Sequence, residues 1–134
     1  MNSEKNILIV EDDSMLQEFY KVLFKRLGYK CSISENGDEI IDNIVNRKVD
    51  LLIVDLNLKN TFLNSKAIDG VSLARYIKQN FYTLRIPILV ITAYSASYFA
   101  DDLLKEGFAD DYMLKPIVNF DLLIQKVDNL LCQN

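Results

Sequence analysis

The stretch ILIVEDD, residues 7–13, sets four aliphatic side chains in a row and then three carboxylates with nothing between them. With Asn6 ahead of it, the continuous apolar run 6–10 reads as a strand buried on both faces, the kind found in parallel sheets. Carboxylates crowded at the exit of such a strand repel one another. Near a half-buried strand end the effective dielectric is too low to hide that repulsion. Either the acids splay into water as an ordinary acidic turn, or something positive belongs between them.

The pattern recurs along the chain. Apolar runs at 29–34, 49–54, 86–91 and 112–114 alternate with amphipathic stretches, and three of them also end on reactive groups: Asp55, Thr92 and Lys115-Pro116. Ser14 with Gln17 reads as a capping box opening a helix whose apolar face is Leu16, Phe19, Tyr20, Leu23 and Leu27, stopped by Gly28. After the Asn36-Gly37 turn, a helix carries Ile40, Ile41, Ile44 and Val45 on one side. Further helices are expected over 71–79 and over 98–106, the latter ended by Gly107. Asn119 caps the last helix, whose inner face is Phe120, Leu123, Ile124, Val127, Leu130 and Leu131. The stretch 57–69 has neither a helical nor a strand period. Five strands alternating with five helices predict an α/β fold, a doubly wound five-stranded parallel sheet covered on both faces.

Length and composition bound the function. The 134 residues are the size of one domain, expected over 1–134 with no output domain, and half of them are apolar, enough for a real core. A net charge of −4 argues against direct nucleic-acid binding. No apolar run is long enough to span a bilayer, and the opening residues are too few and too polar for a signal peptide, so a cytoplasmic setting is expected. Cys31 and Cys132 lack any metal-ligand spacing and are expected to be reduced and inert. The absence of histidine excludes a histidine base, a histidine metal ligand and an internal phosphohistidine.

In an open parallel sheet, ligands bind beyond the carboxyl ends of the strands, where strand order reverses. Glu11, Asp12 and Asp13 leave the first strand, Asp55 the third, Thr92 the fourth and Lys115 the fifth. If strands one and three are neighbours, Asp55 faces Glu11 and Asp12, and three carboxylates share a cleft with one ammonium. Such an oxygen-only donor set suits a hard cation, magnesium best, with manganese as its substitute. Asp55 is the candidate nucleophile, able to carry a phosphoryl group as a mixed anhydride. Thr92 and Lys115 would meet the incoming oxygens. Asp13 is assigned no more than the helix N-terminus, where acids are favoured.

The segments ILIVEDD, LLIVDLNL (51–58), ILVITAYS (88–95) and DDYMLKP (110–116), in this order, resemble the receiver domains of two-component response regulators. The resemblance covers essentially the whole chain and implies a flavodoxin-like sheet of order 2-1-3-4-5. It implies Asp55 as phosphoacceptor and Glu11 and Asp12 as the acidic magnesium pair, with Asp55 itself and the backbone carbonyl of Asn57 completing the metal set. Thr92 and Tyr112 become the switch pair, Lys115 the phosphate-contacting lysine, and Pro116 follows a cis peptide bond. The implied activity is a signalling switch rather than an enzyme, one that contributes to its own phosphorylation and dephosphorylation. A histidine kinase or histidine phosphotransfer protein donates the phosphoryl group, and the face made by helix four, strand five and helix five is remodelled. An unspecified output protein, or a second copy of the chain on phosphorylation, would read that face.

Other classes fit less well. A flavin-phosphate binder needs a Ser/Thr/Gly-rich loop after strand one, where this chain has acids. A haloacid-dehalogenase-type phosphatase needs an acid two residues after its nucleophile, and Asn57 supplies none. An unphosphorylated receiver-like protein-binding module is the remaining alternative.

Three departures from the receiver pattern carry expectations of their own. DLNLKNTFLNSKAIDG (55–70) has Lys59 at the usual proline position and extra residues before Asp69-Gly70. These are either a tolerated surface insertion or a lid or partner contact through Phe62 and Leu63, with Lys59 or Lys66 adding charge near the phosphate. GFADDY (107–112) is one residue longer than the common G-A-D-D-Y, which would shift the start of strand five. Tyr94, two residues after Thr92, is expected to slow self-dephosphorylation by crowding water.

Overall fold

Strands too apolar to face water on either side must be covered twice, and the computed structural model, which describes residues 5–132, shows how. The elements run β1 (Asn6–Val10), α1 (Ser14–Arg26), β2 (Lys30–Ser34), α2 (Gly37–Asn46), β3 (Leu51–Asp55), β4 (Phe62–Leu63), β5 (Lys66–Ala67), α3 (Gly70–Asn80), β6 (Ile88–Ala93), α4 (Ser97–Glu106), β7 (Asp111–Lys115) and α5 (Phe120–Cys132). Residues 1–4, the polar opening stretch, and 133–134, the end of the expected 1–134 domain, lie outside the described residues.

The five long strands form a parallel sheet of order β2-β1-β3-β6-β7. This is the expected 2-1-3-4-5 order, with a small hairpin taking the two intervening numbers. Strand order reverses between β1 and β3, so a crevice opens at their carboxyl ends. Alternate side chains of each strand fill opposite layers. Leu8, Val10, Leu52, Val54, Ile88 and Val90 pack with α2, α3 and α4 through Ile40, Ile44, Leu73, Ile77 and Leu103. Ile7, Ile9, Leu51, Ile53, Leu89 and Ile91 pack with α1 and α5 through Tyr20, Phe24, Leu123, Val127 and Leu130.

The structure corrects several local expectations. The cap of α1 is Asp13, whose Oδ1 accepts from the amides of Met15 (2.9 Å) and Leu16 (3.1 Å); Ser14 is the first helical residue. Gln17 closes no capping box, because its Nε2 donates to the Glu11 carbonyl at 2.6 Å. Phe24, absent from the expected apolar face of α1, is fully buried. Val45 and Phe120, expected on inner faces, are exposed. The fourth sheet strand starts at Ile88 rather than Ile86. Pro87 has no N–H to give the ladder, although its carbonyl accepts from Leu52 at 3.0 Å. β7 gains one residue at each end, and Asp110 pins the start of β6 by accepting from the Ile88 amide at 2.7 Å.

The stretch 57–69 is not irregular throughout. Phe62 pairs with Ala67 and Leu63 with Lys66, joined by Asn64 and Ser65 at φ 52° and 67°, the paired left-handed geometry of a tight hairpin turn. The hairpin is seated on the N-terminus of α2. Leu63 is buried there rather than forming a lid, and Asp38 Oδ1 accepts from the Asn64 amide at 3.0 Å.

Candidate functional site at the carboxyl rim of the sheet

The in-register pairing of Val10 with Val54 brings the residues that follow each strand out side by side. Glu11 and Asp55 are 1% and 3% exposed, Asp12 is half-buried, and one oxygen from each of the three lies within 4.8 Å of the others. Lys115 reaches in from the end of β7. Its Nζ donates to Asp55 Oδ2 at 2.8 Å and, more loosely, to Glu11 Oε1 at 3.5 Å. Three of the other oxygens are held by backbone amides. Asp55 Oδ1 accepts from the Asn57 amide at 2.9 Å and Glu11 Oε2 from the Asp13 amide at 3.2 Å. Asp12 Oδ2 accepts from the amides of Lys59 at 2.8 Å and Asn60 at 3.4 Å.

The cluster is short of positive charge. Burial, then the charge of Asp55 and the hydrogen bond shared with it, push the Glu11 carboxyl up to about 7; Lys115 and the Asp13 amide only partly offset them. Burial works against the Lys115 ammonium, but its hydrogen bond to Asp55 and the charges of Asp55 and Glu11 win, so its pKa is raised. Three oxygen donors with neither thiolate nor imidazole among them fit a hard divalent cation.

Sequence reading placed Glu11, Asp12, Asp55 and Lys115 in one cleft, and the structure brings these four together. Thr92 is buried at the end of β6, and its hydroxyl is shared between the carbonyls of Ala93 (3.3 Å) and Ala96 (3.4 Å) rather than bonded to a carboxylate of the cluster. Tyr112 sits half-buried against the α2–α4 layer, with Lys126 Nζ 6.0 Å from its ring centre. Asn57 is exposed, and its backbone amide donates to Asp55. Tyr94 is 77% exposed. The Lys115-Pro116 peptide is cis, as the resemblance implied.

Two features of the site went unread in the sequence. The amides of Lys59 and Asn60 reach Asp12, a contact whose only sequence signal is a residue with an N–H in place of proline. The Tyr20 hydroxyl, buried on α1 on the side facing the charges of Glu11 and Asp55, has no hydrogen-bond partner among the described residues.

Comparison with known proteins agrees with this arrangement. Residues 7–128 match the family model of the response regulator receiver domain. The phosphate regulon transcriptional regulatory protein PhoB of Pseudomonas aeruginosa is 37% identical over 84% of this chain, which spans 45% of that longer protein. The polar-differentiation response regulator DivK of Brucella anthropi is 25% identical, with 84% of this chain and 85% of that protein covered. The response regulator TrrA of Thermotoga maritima, solved in complex with Mg2+ and BeF, superposes with a TM-score of 0.75 at 31% identity, covering 94% of this chain and 98% of that one. The acidic rim, the reversal of strand order above it and the match across the length of the sheet have one common explanation: the chain belongs to the response regulator receiver domains, the signalling switches of two-component systems.

Proposed function

We propose that Asp55 is the phosphoacceptor of this receiver. The observation that carries the reading is the company Asp55 keeps. A structural ion pair with Lys115 would need one carboxylate, yet two more are pressed against it at a buried strand end. Unpaired buried charge of that kind is costly and marks functional sites.

In the transfer, an Asp55 carboxylate oxygen forms a bond to phosphorus as the P–N bond of a phosphohistidine breaks. The electron pair returns to the imidazole nitrogen, which takes up a proton. These 134 residues contain no histidine, so the donor is a histidine kinase or histidine phosphotransfer protein. Glu11, Asp12, Asp55 and the Asn57 carbonyl would hold magnesium, which supplies charge neutralisation for the phosphoryl oxygens. The Mg2+ and BeF in the Thermotoga relative support that carry-over. Lys115, already within 2.8 Å of Asp55, follows the new oxygens. Thr92 gives up its two long bonds to Ala93 and Ala96 and donates to the phosphoryl group. Tyr112 follows, and the face of α4, β7 and α5 is remodelled for an output protein or a second copy. These contacts exist only in the phosphorylated arrangement, so they shift an equilibrium between two forms.

A docking surface for the donor lies beside the site. Met15, Leu16, Phe19, Ile117 and Phe120 line an apolar groove of about 640 Å³ that runs up to Lys115 and Pro116. Met15 is 82% exposed there. An apolar patch against a charged cleft suits a partner that must bring one histidine to one aspartate. Free Cys31 and Cys132, and the lack among the described residues of any helix long and apolar enough to cross a membrane, fit a cytoplasmic setting.

The test is intact-mass analysis after exposure to acetyl phosphate, with and without magnesium. One phosphoryl group is expected on the wild type with magnesium and none on Asp55→Asn. A modified Asp55→Asn protein would place the acceptor elsewhere.

A further inference from the structure

The Lys59 and Asn60 amides, in the loop between β3 and β4, both donate to one carboxylate. We propose that the hairpin of β4 and β5 anchors a clamp that positions Asp12: seated on α2, it fixes the two residues leading into it, Lys59 and Asn60, whose backbone N–H groups hold the Asp12 carboxylate beside Glu11 and Asp55. The proposal rests on reading the acidic cluster as a cation site, and goes beyond it by assigning a segment outside the cluster the task of assembling it.

Asp12 is the cluster member most in need of holding. Glu11 and Asp55 are locked by burial and by Lys115, whereas Asp12 is half-exposed and free of that ammonium. Like-charge repulsion from its two neighbours drives its side chain outward. Amide donors at 2.8 and 3.4 Å oppose that movement. Being neutral, they ease the cost of the charge without cancelling it, and a carboxylate has lone pairs to spare for a further partner.

The clamp has a seat. A Cβ built on Gly37 would lie 2.4 Å from the Phe62 carbonyl oxygen and 3.0 Å from Leu63 Cβ, so only glycine lets the hairpin sit down on α2. The Asn64 amide bonds Asp38 at 3.0 Å, buried Leu63 adds apolar contact, and the Ile68 amide closes the base of the hairpin onto the Thr61 carbonyl at 2.9 Å. Proline, usual at the Lys59 position in receivers, has no N–H and cannot make the shorter bond to Asp12. The clamp therefore belongs to this chain's departure from the pattern. Coupling of this kind is reciprocal: a closed hairpin favours the cation as much as the cation favours a closed hairpin.

The test is magnesium titration of the full chain by calorimetry, with amide hydrogen exchange as a second readout and circular dichroism to confirm folding. Lys59→Pro removes the shorter bond. Gly37→Ala improves the helix propensity of α2 while forcing the hairpin to shift. Both are expected to weaken magnesium binding roughly three- to tenfold, about the worth of one ordinary hydrogen bond. Lys59→Ala keeps the amide and drops the ammonium, and is expected to restore binding to about twofold of wild type or better. Magnesium is expected to slow exchange at the Lys59 and Asn60 amides of the wild type. Wild-type affinity in both Lys59→Pro and Gly37→Ala overturns the clamp and leaves the cation site standing, as does a Lys59→Ala variant as weak as Lys59→Pro. A wild type that binds no magnesium overturns the site, and the clamp with it.

Discussion

Replacing Tyr20 with phenylalanine is expected to make the protein more stable. Tyr20 is 1% exposed, its ring lies 5.4 Å from that of Phe19 and 6.2 Å from that of Phe24, and its hydroxyl has no hydrogen-bond partner among the described residues. Folding strips water from that hydroxyl and returns nothing, at a cost of about 1–3 kcal/mol. Phenylalanine keeps every ring contact and leaves a gap of a single oxygen, so the net gain is about 1–2 kcal/mol. In a domain of this length that raises Tm by roughly 3–8 °C. Burial, then the charges of Glu11 and Asp55, hold the Tyr20 phenol above the usual tyrosine range. A folded-state pKa above the unfolded value gives stability that is complete below about pH 10 and lost above it, as the unfolded chain ionises first. Tyr20→Phe is therefore expected to lose less stability than wild type in the alkaline range. Thermal and urea denaturation followed by circular dichroism at neutral pH and above pH 10 measure both effects. An unchanged or lower Tm at neutral pH would mean that the hydroxyl is satisfied, by a buried water for instance, and would refute the reasoning.

The site and the core yield further expectations. Gly70→Ala would set a Cβ 2.2 Å from the Asp55 carbonyl oxygen and 2.5 Å from Leu56 Cα, both of them backbone. It is expected to destabilise by about 1–3 kcal/mol and to slow modification by acetyl phosphate, as judged by urea denaturation and intact mass. Phe24→Ala removes a ring buried between α1 and the sheet and is expected to lower stability by about 3–5 kcal/mol in the same denaturation assay. Burial pushes the Cys31 thiol up to about 11, against an opposing effect of Lys21, while Cys132 is exposed. Iodoacetamide at pH 8 is expected to label Cys132 first and Cys31 only after denaturation, and peptide mapping of partly labelled protein decides it.

Most of the architecture could be read from the sequence because β1, β3 and β6 are apolar on both faces, a pattern that survives without any knowledge of neighbours. Four reactive groups at successive strand ends then located the rim, since the geometry of a parallel sheet gathers such ends at one edge. What escaped notice depended on partners distant in sequence. Phe24 is the exception: four residues after Tyr20 and three before Leu27, it continues the apolar stripe of α1 that the helical period alone announces. Asp13 outcompetes Ser14 as cap because the helix starts one residue earlier than the capping-box pattern suggests. The hairpin at 62–67 was invisible because two-residue strands carry no period; its Asn64-Ser65 turn was the only local sign. Thr92 was placed correctly on its strand, yet the direction of its hydroxyl is set by the carbonyls of Ala93 and Ala96, beyond the reach of residue identity.

The charges at the rim explain why such a site is worth its strain in stability. Lys115 is shared between Asp55 and Glu11, so one ammonium answers two buried carboxylates, and Asp12 is left to backbone amides. A fold optimised only for stability would replace this set with apolar side chains, because burying charges without full pairing costs more than it returns. On the proposed reading the same imbalance makes the rim responsive. A cation relieves it, and a phosphoryl group on Asp55 adds oxygens that draw Lys115 away from its present partner. Thr92, held by two long bonds, is the least firmly engaged donor beside Asp55, separated from it by one strand pairing. It lies on β6, whose register couples Thr92 to Leu114 and Val90 to Tyr112 on β7. A shift of charge at the rim thus has a short mechanical route to the face of α4, β7 and α5, and it begins at the residue with the least to lose by moving.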